Sequence, residues 1–474
     1  MIDRNITKSS KRLFETVVAG GYCIGCGTCA VISNSAVKIG FNKYLMLQAL
    51  PNGNISQDQD EKMQRVCPFS EKSIDENVIG ESLYGHSGFY NEKIGYYHAL
   101  YAGFVASKDY REQGSSGGMG TWILSTLMER GLVDRVIHIK YRESTDLAGD
   151  KRIYSYQLSN TVEEVRSGAK TKYYPIELSE VLTLIINQPA NYALIGVPCF
   201  IKAVRLLMRE EPVFQDRIKF CIGLVCGHLK SANFGRLLGW QLGIKPSNLN
   251  FIDFRTKLSD YDANKYGVTV IGEDRGIERK IISGPVNQLY GTNWGLGFLK
   301  YKACDFCDDV FAETADITLG DAWIPKYEND PAGTNIIVVR DPRIDEIIKD
   351  SISLGELMLE PLSEEEIIQS QASGLFHRRE GLSYRLSLVS AQNRWYPPKR
   401  VKVLSNMSSR IRQRQDLRIQ MAEKSHIAFN EAVGCDDLQM FKDSMIDLES
   451  KYKALYKRPI LIRILSRLKH LFIK

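Results

Sequence analysis

The chain has 474 residues, 44% of them hydrophobic and 25% charged, with a formal net charge of +6. This length predicts two or three domains, and the composition is that of an ordinary globular protein. The mildly basic charge gives no reason to expect a nucleic-acid partner, and no run of 18 apolar residues indicates a transmembrane helix.

The first residues, MIDRNITKSSKRLFETVVAGG, have neither the apolar region nor the small-residue cleavage site of a signal peptide. We therefore expect a cytoplasmic protein, in a compartment that keeps thiols reduced. Ten cysteines in such a protein indicate metal ligands or reactive thiols before they indicate disulfides.

Residues 1–90 are predicted to form a small ferredoxin-like module of loops and short strands. Cys23, Cys26 and Cys29 have the C-x2-C-x2-C spacing that wraps a 4Fe-4S cluster, and Cys67-Pro68 supplies a fourth thiolate from a distance. We call these four residues the N-terminal cysteine set. Zinc or a group of reduced surface thiols is the alternative, although zinc sites favour paired C-x2-4-C units.

Residues 91–395 are predicted to form an α/β core, because strand and helix patterns alternate from His98 onward. Strands are expected in ALYAGFVAS, LVDRVIHIKY, YALIGVPC and IKFCIGLVC. Helices are expected from Gly117 to Arg130, in IKAVRLLMRE and in FGRLLGWQLG.

The glycine-rich run GSSGG, Gly114 to Gly118, opens the first of these helices. Exposed backbone N–H groups and the positive end of a helix dipole suit a phosphate or the edge of a flavin. Taken alone, such a run is also typical of a flexible turn.

Four further cysteines are predicted to meet at one edge of the sheet. Cys199 and Cys226 follow apolar runs, and Cys304 and Cys307 form a C-x2-C pair. The ends of strands are where α/β folds carry functional groups. We call these four residues the core cysteine set, and their spacing alone suits either a second 4Fe-4S cluster or a structural zinc.

Residues 396–474 are predicted to form a basic helical tail. The last 24 residues contain eight Lys or Arg and no Asp or Glu. From Ile460 onward a helix would carry apolar residues on one face and basic residues opposite, as an interfacial helix on an anionic membrane does. Packing on the protein itself or on a partner is the equal alternative.

The ordered motifs GSSGGMGTWILSTLMERGLVDRVI, GAKTKYY, IGVPCFIKAVR, IGLVCGH and CDFCDDVFAETADITLGDAW resemble the coenzyme F-420 hydrogenase/dehydrogenase beta subunit family. The resemblance covers about residues 20–345. It implies a flavoprotein that binds FAD and a 4Fe-4S cluster, with the core cysteine set as the cluster ligands. The N-terminal segment implies a second 4Fe-4S cluster, as in longer members of the family.

The resemblance also implies flavin-binding residues. The glycine-rich run contributes Ser115, Ser116, Gly117 and Gly118, and the ADITLGDAW stretch and the strand after it contribute Gly320, Asp321 and Asn335. Lys172 and Tyr173 are the implied catalytic residues, since a lysine beside the flavin would stabilise its anionic reduced form. A solvated surface lysine and a turn-capping Asp321 are the alternatives.

The sequence is thus interpreted as an iron-sulfur flavoprotein oxidoreductase that passes electrons between two 4Fe-4S clusters and FAD. Its expected partners are a ferredoxin or another redox protein and a small substrate or deazaflavin-like carrier. Some members occur with surface-polysaccharide genes, so that setting is implied too. The rival interpretation is a zinc-binding, non-enzymatic accessory protein of a membrane-associated glycan assembly complex.

Overall fold

The computed structural model describes residues 12–86, 88–107, 109–142, 152–404 and 406–456. The strands are β1 Val37–Phe41, β2 Leu47–Pro51, β3 Phe89–Asn91, β4 Gly95–Tyr97, β5 Ala99–Val105, β6 Arg135–Tyr141, β7 Tyr154–Ser159, β8 Tyr192–Gly196, β9 Ile218–Leu224, β10 Leu249–Thr256, β11 Gly267–Asp274, β12 Ile277–Ile282, β13 Ile317–Asp321, β14 Asn335–Val339 and β15 Leu357–Pro361.

The helices alternate with these strands and then dominate the last hundred residues. They are α1 Thr28–Ile32, α2 Gln57–Val66, α3 Glu76–Tyr84, α4 Tyr110–Gln113, α5 Met119–Glu129, α6 Val162–Ser167, α7 Ser179–Ile186, α8 Pro198–Glu210, α9 Pro212–Arg217, α10 Ala232–Gln241, α11 Pro325–Glu328, α12 Pro342–Ser353, α13 Glu364–Ser370, α14 Ala372–Arg378, α15 Glu380–Ala391, α16 Ser409–Gly434 and α17 Leu438–Ala454.

The predicted α/β core is confirmed as a mixed eight-stranded sheet of order β15-β5-β14-β13-β9-β8-β6-β7. Its four middle strands, β6, β8, β9 and β13, run parallel, and antiparallel strands flank them on both sides. The carboxyl ends of the parallel strands therefore meet at one edge of the sheet. β5 runs in the same direction as β13, so the glycine-rich run that follows β5 reaches this edge as well.

The middle strands form where the sequence predicts them, because a strand covered on both faces is a continuous apolar run. In β8 and β14 nearly every side chain is buried. Each apolar run stops at a residue that starts the next element. Pro198, for example, opens α8, where its fixed φ suits the first helical turn and its missing N–H is not needed.

The N-terminal part contains the hairpin β1–β2, as expected for short strands, and a second hairpin, β3–β4, crosses the predicted boundary at residue 90. It also contains α2 and α3, which the loop-rich prediction did not include. Helix α2 begins with a capping box in which Ser56 and Gln59 satisfy each other's backbone N–H groups. The iron-sulfur nature of this part stays a prediction.

One hydrophobic cluster runs through all three predicted segments of the chain. It contains Val17 and Met63 from the N-terminal part, Leu194 from β8, and Phe429 and Phe441 from the last two helices. A second cluster covers the opposite face of the sheet, around Trp122 of α5 and Ile348 of α12. The boundaries at residues 90 and 395 stay a prediction.

The predicted helical character of the C-terminal part is confirmed by α16 and α17, which pack against each other. The expected interfacial helix over residues 460–474 lies outside the described residues. Within the described part of the chain, no helix is both long enough and apolar enough to cross a membrane.

Candidate functional site

The N-terminal cysteine set lines a single cavity. Cys23 and Cys26 lie in the loop before α1, Cys29 lies in α1, and Cys67 caps the end of α2. All four border one cavity whose other walls are mostly apolar. Cys67 therefore lies beside the C-x2-C-x2-C loop, and its role as the fourth cluster ligand stays a prediction.

Two glycines give the cysteine loop its shape. Gly25 and Gly27 have φ values of +65° and +95°, in the left-handed region that side chains disfavour. A Cβ on Gly27 would lie 2.7 Å from the backbone nitrogen of Ser179, and one on Gly25 would lie 2.6 Å from the carbonyl oxygen of Leu47. Both positions require glycine.

The thiols of this set influence one another. Burial raises the pKa of Cys29, and the sulfurs of Cys26, Cys23 and Cys67 raise it further. Burial likewise raises the pKa of Cys26 to about 11, against a hydrogen bond with Thr28 that lowers it. The backbone N–H of Ala49 donates to Cys23 Sγ at 3.4 Å. Four convergent thiols with backbone donors are the ligand chemistry of an iron-sulfur cluster.

The core cysteine set forms at the predicted sheet edge. Cys199 lies in the first turn of α8 after β8, Cys226 follows β9, and Cys304 and Cys307 lie in and after the turn Lys302–Phe306. Burial raises the pKa of Cys199, and the sulfurs of the other three raise it further. The N–H of Leu229 donates to Cys304 Sγ at 3.1 Å.

The two cysteine sets are neighbours. Cys26 of the N-terminal set contributes to the raised pKa of Cys199 in the core set. Helix α8 links them, because it carries Cys199 in its first turn and Lys202, whose charge lowers the pKa of Cys67 against the larger effect of burial. No three His, Cys, Asp or Glu side chains of the described residues, these two sets included, meet in the arrangement that one metal ion requires, so the metal-binding role of both sets stays a prediction.

A second cavity lies at the same edge of the sheet. Its walls come from the glycine-rich run, the end of β13, the segment before β14, and the neighbouring sheet β10-β11-β12 with its connections. The lining residues are Ser116, Arg255, Ala263, Asp321, Ala322, Trp323, Tyr327, Glu328, Gly333 and Thr334. Of the predicted flavin-binding residues, Ser116 and Asp321 line it directly.

Asn335 joins the start of the helix that follows the glycine-rich run to the end of β13. Its side-chain oxygen accepts a hydrogen bond from the N–H of Met119 at 3.3 Å, and its amide donates to the carbonyl of Gly320 at 3.0 Å. A Cβ on Gly117 would lie 2.7 Å from Asn335 Oδ1, and Gly118 starts α5 at φ +87°. Asn335 thus uses its amide to hold the walls of the cavity.

Lys172 and Tyr173 point to different surroundings. Lys172 Nζ donates to the carbonyls of Gly168 and Ala169, both at 2.5 Å, and burial lowers its pKa to about 7. The Tyr173 ring packs edge-on against Phe254 and Trp294, with centroid distances of 5.6 and 4.9 Å. Burial raises the pKa of Tyr173, and the charge of Arg255, which pairs with Asp321 at 2.6 Å, lowers it. The structure therefore leaves Lys172 bonded to its own loop and Tyr173 among aromatic rings.

The loop that carries these two residues is joined to the glycine-rich run. The N–H of Thr171 donates to Ser115 Oγ at 2.8 Å. Ser116 Oγ donates to the carbonyl of Thr334 at 3.0 Å, which fixes the other side of the run. Asp316, from the same stretch as Gly320 and Asp321, lies at the opposite end of β13 and pairs with Arg205 at 2.8 Å.

The sequence interpretation missed two basic residues, Arg255, which lines this cavity, and Lys257, which bonds to the loops around it. Arg255 comes from β10, and Lys257 follows that strand. Lys257 Nζ donates to the carbonyls of Ala332 at 2.8 Å and Ser116 at 3.3 Å, and so links the two loops that border the cavity. No local motif marks either residue, because both act on segments that are far away in the chain.

Both parts of one family match this chain. Residues 100–183 match the coenzyme F-420 hydrogenase/dehydrogenase beta subunit N-terminal description, and residues 190–365 match the C-terminal description. Together they cover more than half of the chain. Among curated proteins, no relative matches.

Among solved structures, one chain of the F-420-reducing [NiFe] hydrogenase complex from Methanosarcina barkeri, studied by xenon derivatization, is similar. The match has 15% sequence identity and a TM-score of 0.48, and covers 65% of this chain and 99% of that chain. The two family matches, in their expected order along the chain, identify the family. This chain belongs to the coenzyme F-420 hydrogenase/dehydrogenase beta subunit family.

Proposed function

We propose that this protein is an iron-sulfur flavoprotein oxidoreductase that holds two 4Fe-4S clusters and one FAD. Family membership supports the oxidoreductase role. The observation that carries the rest of the proposal is the pair of adjacent four-cysteine sets. When bound, a flavin handles the two electrons of hydride chemistry, whereas each cluster handles one electron at a time.

The N-terminal cysteine set suits a cluster because its four thiols converge on one apolar cavity. Low solvent exposure and backbone N–H donors to sulfur are among the features that set cluster potentials in proteins. Cys23 receives such a bond from Ala49.

The core cysteine set suits a second cluster for related reasons. Cys199 lies in the first turn of α8, where the positive end of the helix dipole favours a thiolate. Cys304 accepts a backbone hydrogen bond from Leu229. The two sets are close enough for their thiols to influence each other, which suits electron transfer between the groups they would hold.

FAD is proposed to bind at the cavity lined by Ser116 and Asp321. Arg255 lines the cavity, but Asp321 already partners its charge, so the backbone N–H groups around Ser115 to Gly118 are the proposed partners for an anionic group. Tyr173 is proposed as a catalytic residue because the charge of Arg255, which lines this cavity, acts on its hydroxyl. Lys172 would need to release the carbonyls of Gly168 and Ala169 to approach a flavin.

The partners are proposed from the family. A ferredoxin or another redox protein would exchange electrons at the N-terminal cysteine set, and a small substrate or deazaflavin-like carrier would bind at the flavin. A role in surface-polysaccharide synthesis, a cytoplasmic location and membrane contact through residues 460–474 are proposals that rest on the sequence alone.

Metal and flavin analysis of anaerobically purified protein tests this function. We expect coloured protein with about eight iron atoms, four for each cluster, and about one flavin per chain. Colourless protein with stoichiometric zinc and no flavin would support the rival interpretation, a zinc-binding accessory protein, and would overturn the proposal.

The substitution Gly117→Ala is expected to lower the flavin content several-fold while leaving the iron content unchanged. The added Cβ would meet Asn335 Oδ1 at 2.7 Å and the carbonyl oxygen of Gly103 at 2.8 Å, so the run that borders the cavity must shift. Flavin per chain and iron per chain, measured on the same sample, check this prediction.

Gly53→Ala is the matched control, because a Cβ at Gly53 meets no atom within 4 Å. It should leave both contents unchanged. A Gly117→Ala protein with full flavin would contradict the position proposed for the cofactor.

A further inference from the structure

Arg378 is a buried cation beside the core cysteine set. It is the last residue of α14, and only 2% of its surface is exposed. Its neighbour His377 lies 3.4 Å from Asp305, between Cys304 and Cys307. Burial has the largest single effect on the pKa of Arg378 and lowers it, whereas the thiols of Cys307 and Cys226 raise it. The charge of Arg378 in turn lowers the pKa of Cys304, against the larger effect of burial.

Arg378 has hydrogen-bond donors that no described residue accepts from. Its Nε and Nη1 are buried and have no hydrogen-bond partner among the residues that the structure describes. A buried guanidinium with two unpartnered nitrogens is costly unless it has a further acceptor. The sulfur atoms of a cluster held by the adjacent cysteines would be such acceptors.

Arg385, seven residues further on, shows the contrast. It is equally buried, but its Nε donates to the carbonyl of Asp305 at 2.7 Å and its Nη1 donates to Gln415 at 2.6 Å. Its Nη2 donates to the carbonyl of His377 at 2.8 Å. Arg385 is therefore part of the scaffold, whereas Arg378 faces the cysteine sulfurs.

The N-terminal cysteine set has different surroundings. Its cavity is bordered by apolar residues such as Leu13, Val17 and Phe69. The cation that acts on it is Lys202, which influences Cys67 and is paired with Glu76 at 3.2 Å. A cation paired with a carboxylate contributes little net charge to the set.

We propose that Arg378 is a positioning residue that raises the reduction potential of the core cluster above that of the N-terminal cluster. This inference rests on the proposed function. A reduced cluster carries one more negative charge than an oxidised one, so a nearby cation and N–H···S bonds stabilise the reduced form. The N-terminal set also accepts an N–H···S bond, from Ala49 to Cys23, but the cation that acts on it, Lys202, is paired with Glu76.

This difference in reduction potential sets the direction of electron transfer between the two clusters. One electron moves favourably from the N-terminal cysteine set to the core set, so that the first loses one electron and the second gains one. A one-electron donor such as a reduced ferredoxin would refill the N-terminal site. The protein is then arranged to deliver low-potential electrons towards the flavin cavity.

The test is a redox titration of the full anaerobic protein, followed by electron paramagnetic resonance. The variants Cys67→Ser and Cys226→Ser, which each retain one cluster, assign the two signals. We expect the core signal to titrate at the higher potential in the wild-type protein. A core potential equal to or below the N-terminal one overturns the proposal without any change at Arg378.

Arg378→Gln tests the residue itself. At the wild-type midpoint of the core signal, the ratio of reduced to oxidised cluster should fall at least about tenfold, equivalent to 59 mV for one electron. The N-terminal signal should stay where it is. Arg378→Lys, which keeps the charge but not the forked donors, should show a smaller shift and serves if Arg378→Gln does not fold.

Arg130→Gln is the control, because Arg130 forms a surface ion pair with Asp350 at 2.9 Å. It should move neither signal. Protein without iron would overturn the proposed function together with this inference. Full iron with an unshifted core potential in both Arg378 variants would overturn the role of Arg378 alone.

Discussion

Replacing Cys67 with serine is expected to remove about half of the iron and to leave the flavin in place. Cys67 borders the cavity of the N-terminal cysteine set, at the end of α2, and takes no part in the flavin cavity. A cubane that loses one of four thiolates loses a ligand that a serine hydroxyl replaces poorly. Iron and flavin per chain, measured anaerobically, give the result.

The matched substitution is Cys226→Ser, which should remove the other half of the iron. Cys435→Ser is the control, because Cys435 is exposed at the end of α16 and belongs to neither set. It should leave the iron content unchanged.

Loss of all iron in Cys67→Ser would contradict the proposal that the two cysteine sets bind their clusters independently. Helix α8 is the element through which such a loss would spread, since it carries Cys199 and also Lys202 beside Cys67. Circular dichroism of the variant separates this outcome from unfolding, because an unfolded chain would lose its helical signal as well.

The sequence was most informative about the middle of the sheet. Apolar runs predicted β8 and β9. Parallel strands that are buried on both faces are apolar at nearly every position and lack the polar alternation of a half-exposed strand. The helix expected from Gly117 to Arg130 is observed as Met119–Glu129, because Gly118 is in the left-handed conformation and ends the loop before it.

Helix α2 was missed because its sequence, QDQDEKMQRV, offers little apolar periodicity. Its buried face contains the polar residues Asp60 and Gln64 beside Met63 and Val66, so the helix has no apolar face that a sequence pattern could reveal. The signal that could have revealed it is the capping box of Ser56 and Gln59.

The two cysteine sets could be proposed from the sequence because ligand chemistry restricts residue type and spacing, and their role as cluster ligands stays a prediction. The charged side chains around them could not be predicted. Arg378 lies far along the chain from Cys226, and Arg255 meets Asp321 through a contact between two different sheets. Such contacts depend on topology, which no local pattern of the sequence encodes.

The substitution Asp316→Ala is expected to lower the free energy of unfolding by about 3–5 kcal/mol. Asp316 Oδ1 accepts hydrogen bonds from Arg205 Nη2 at 2.8 Å and from the Tyr84 hydroxyl at 2.9 Å. Its Oδ2 accepts a bond from the N–H of Cys221 at 2.6 Å. All four residues are buried, so the substitution leaves the Arg205 charge without its counter-ion in the interior.

Urea unfolding followed by circular dichroism, at equal cofactor loading, measures this loss. Asp447→Ala is the control, since Asp447 pairs with Lys451 on the surface, and such pairs contribute at most about 1 kcal/mol. The double variant Arg205→Met with Asp316→Leu should recover part of the loss, because it removes both charges together. An Asp316→Ala protein within about 1 kcal/mol of wild type would show that the network does not stabilise the fold.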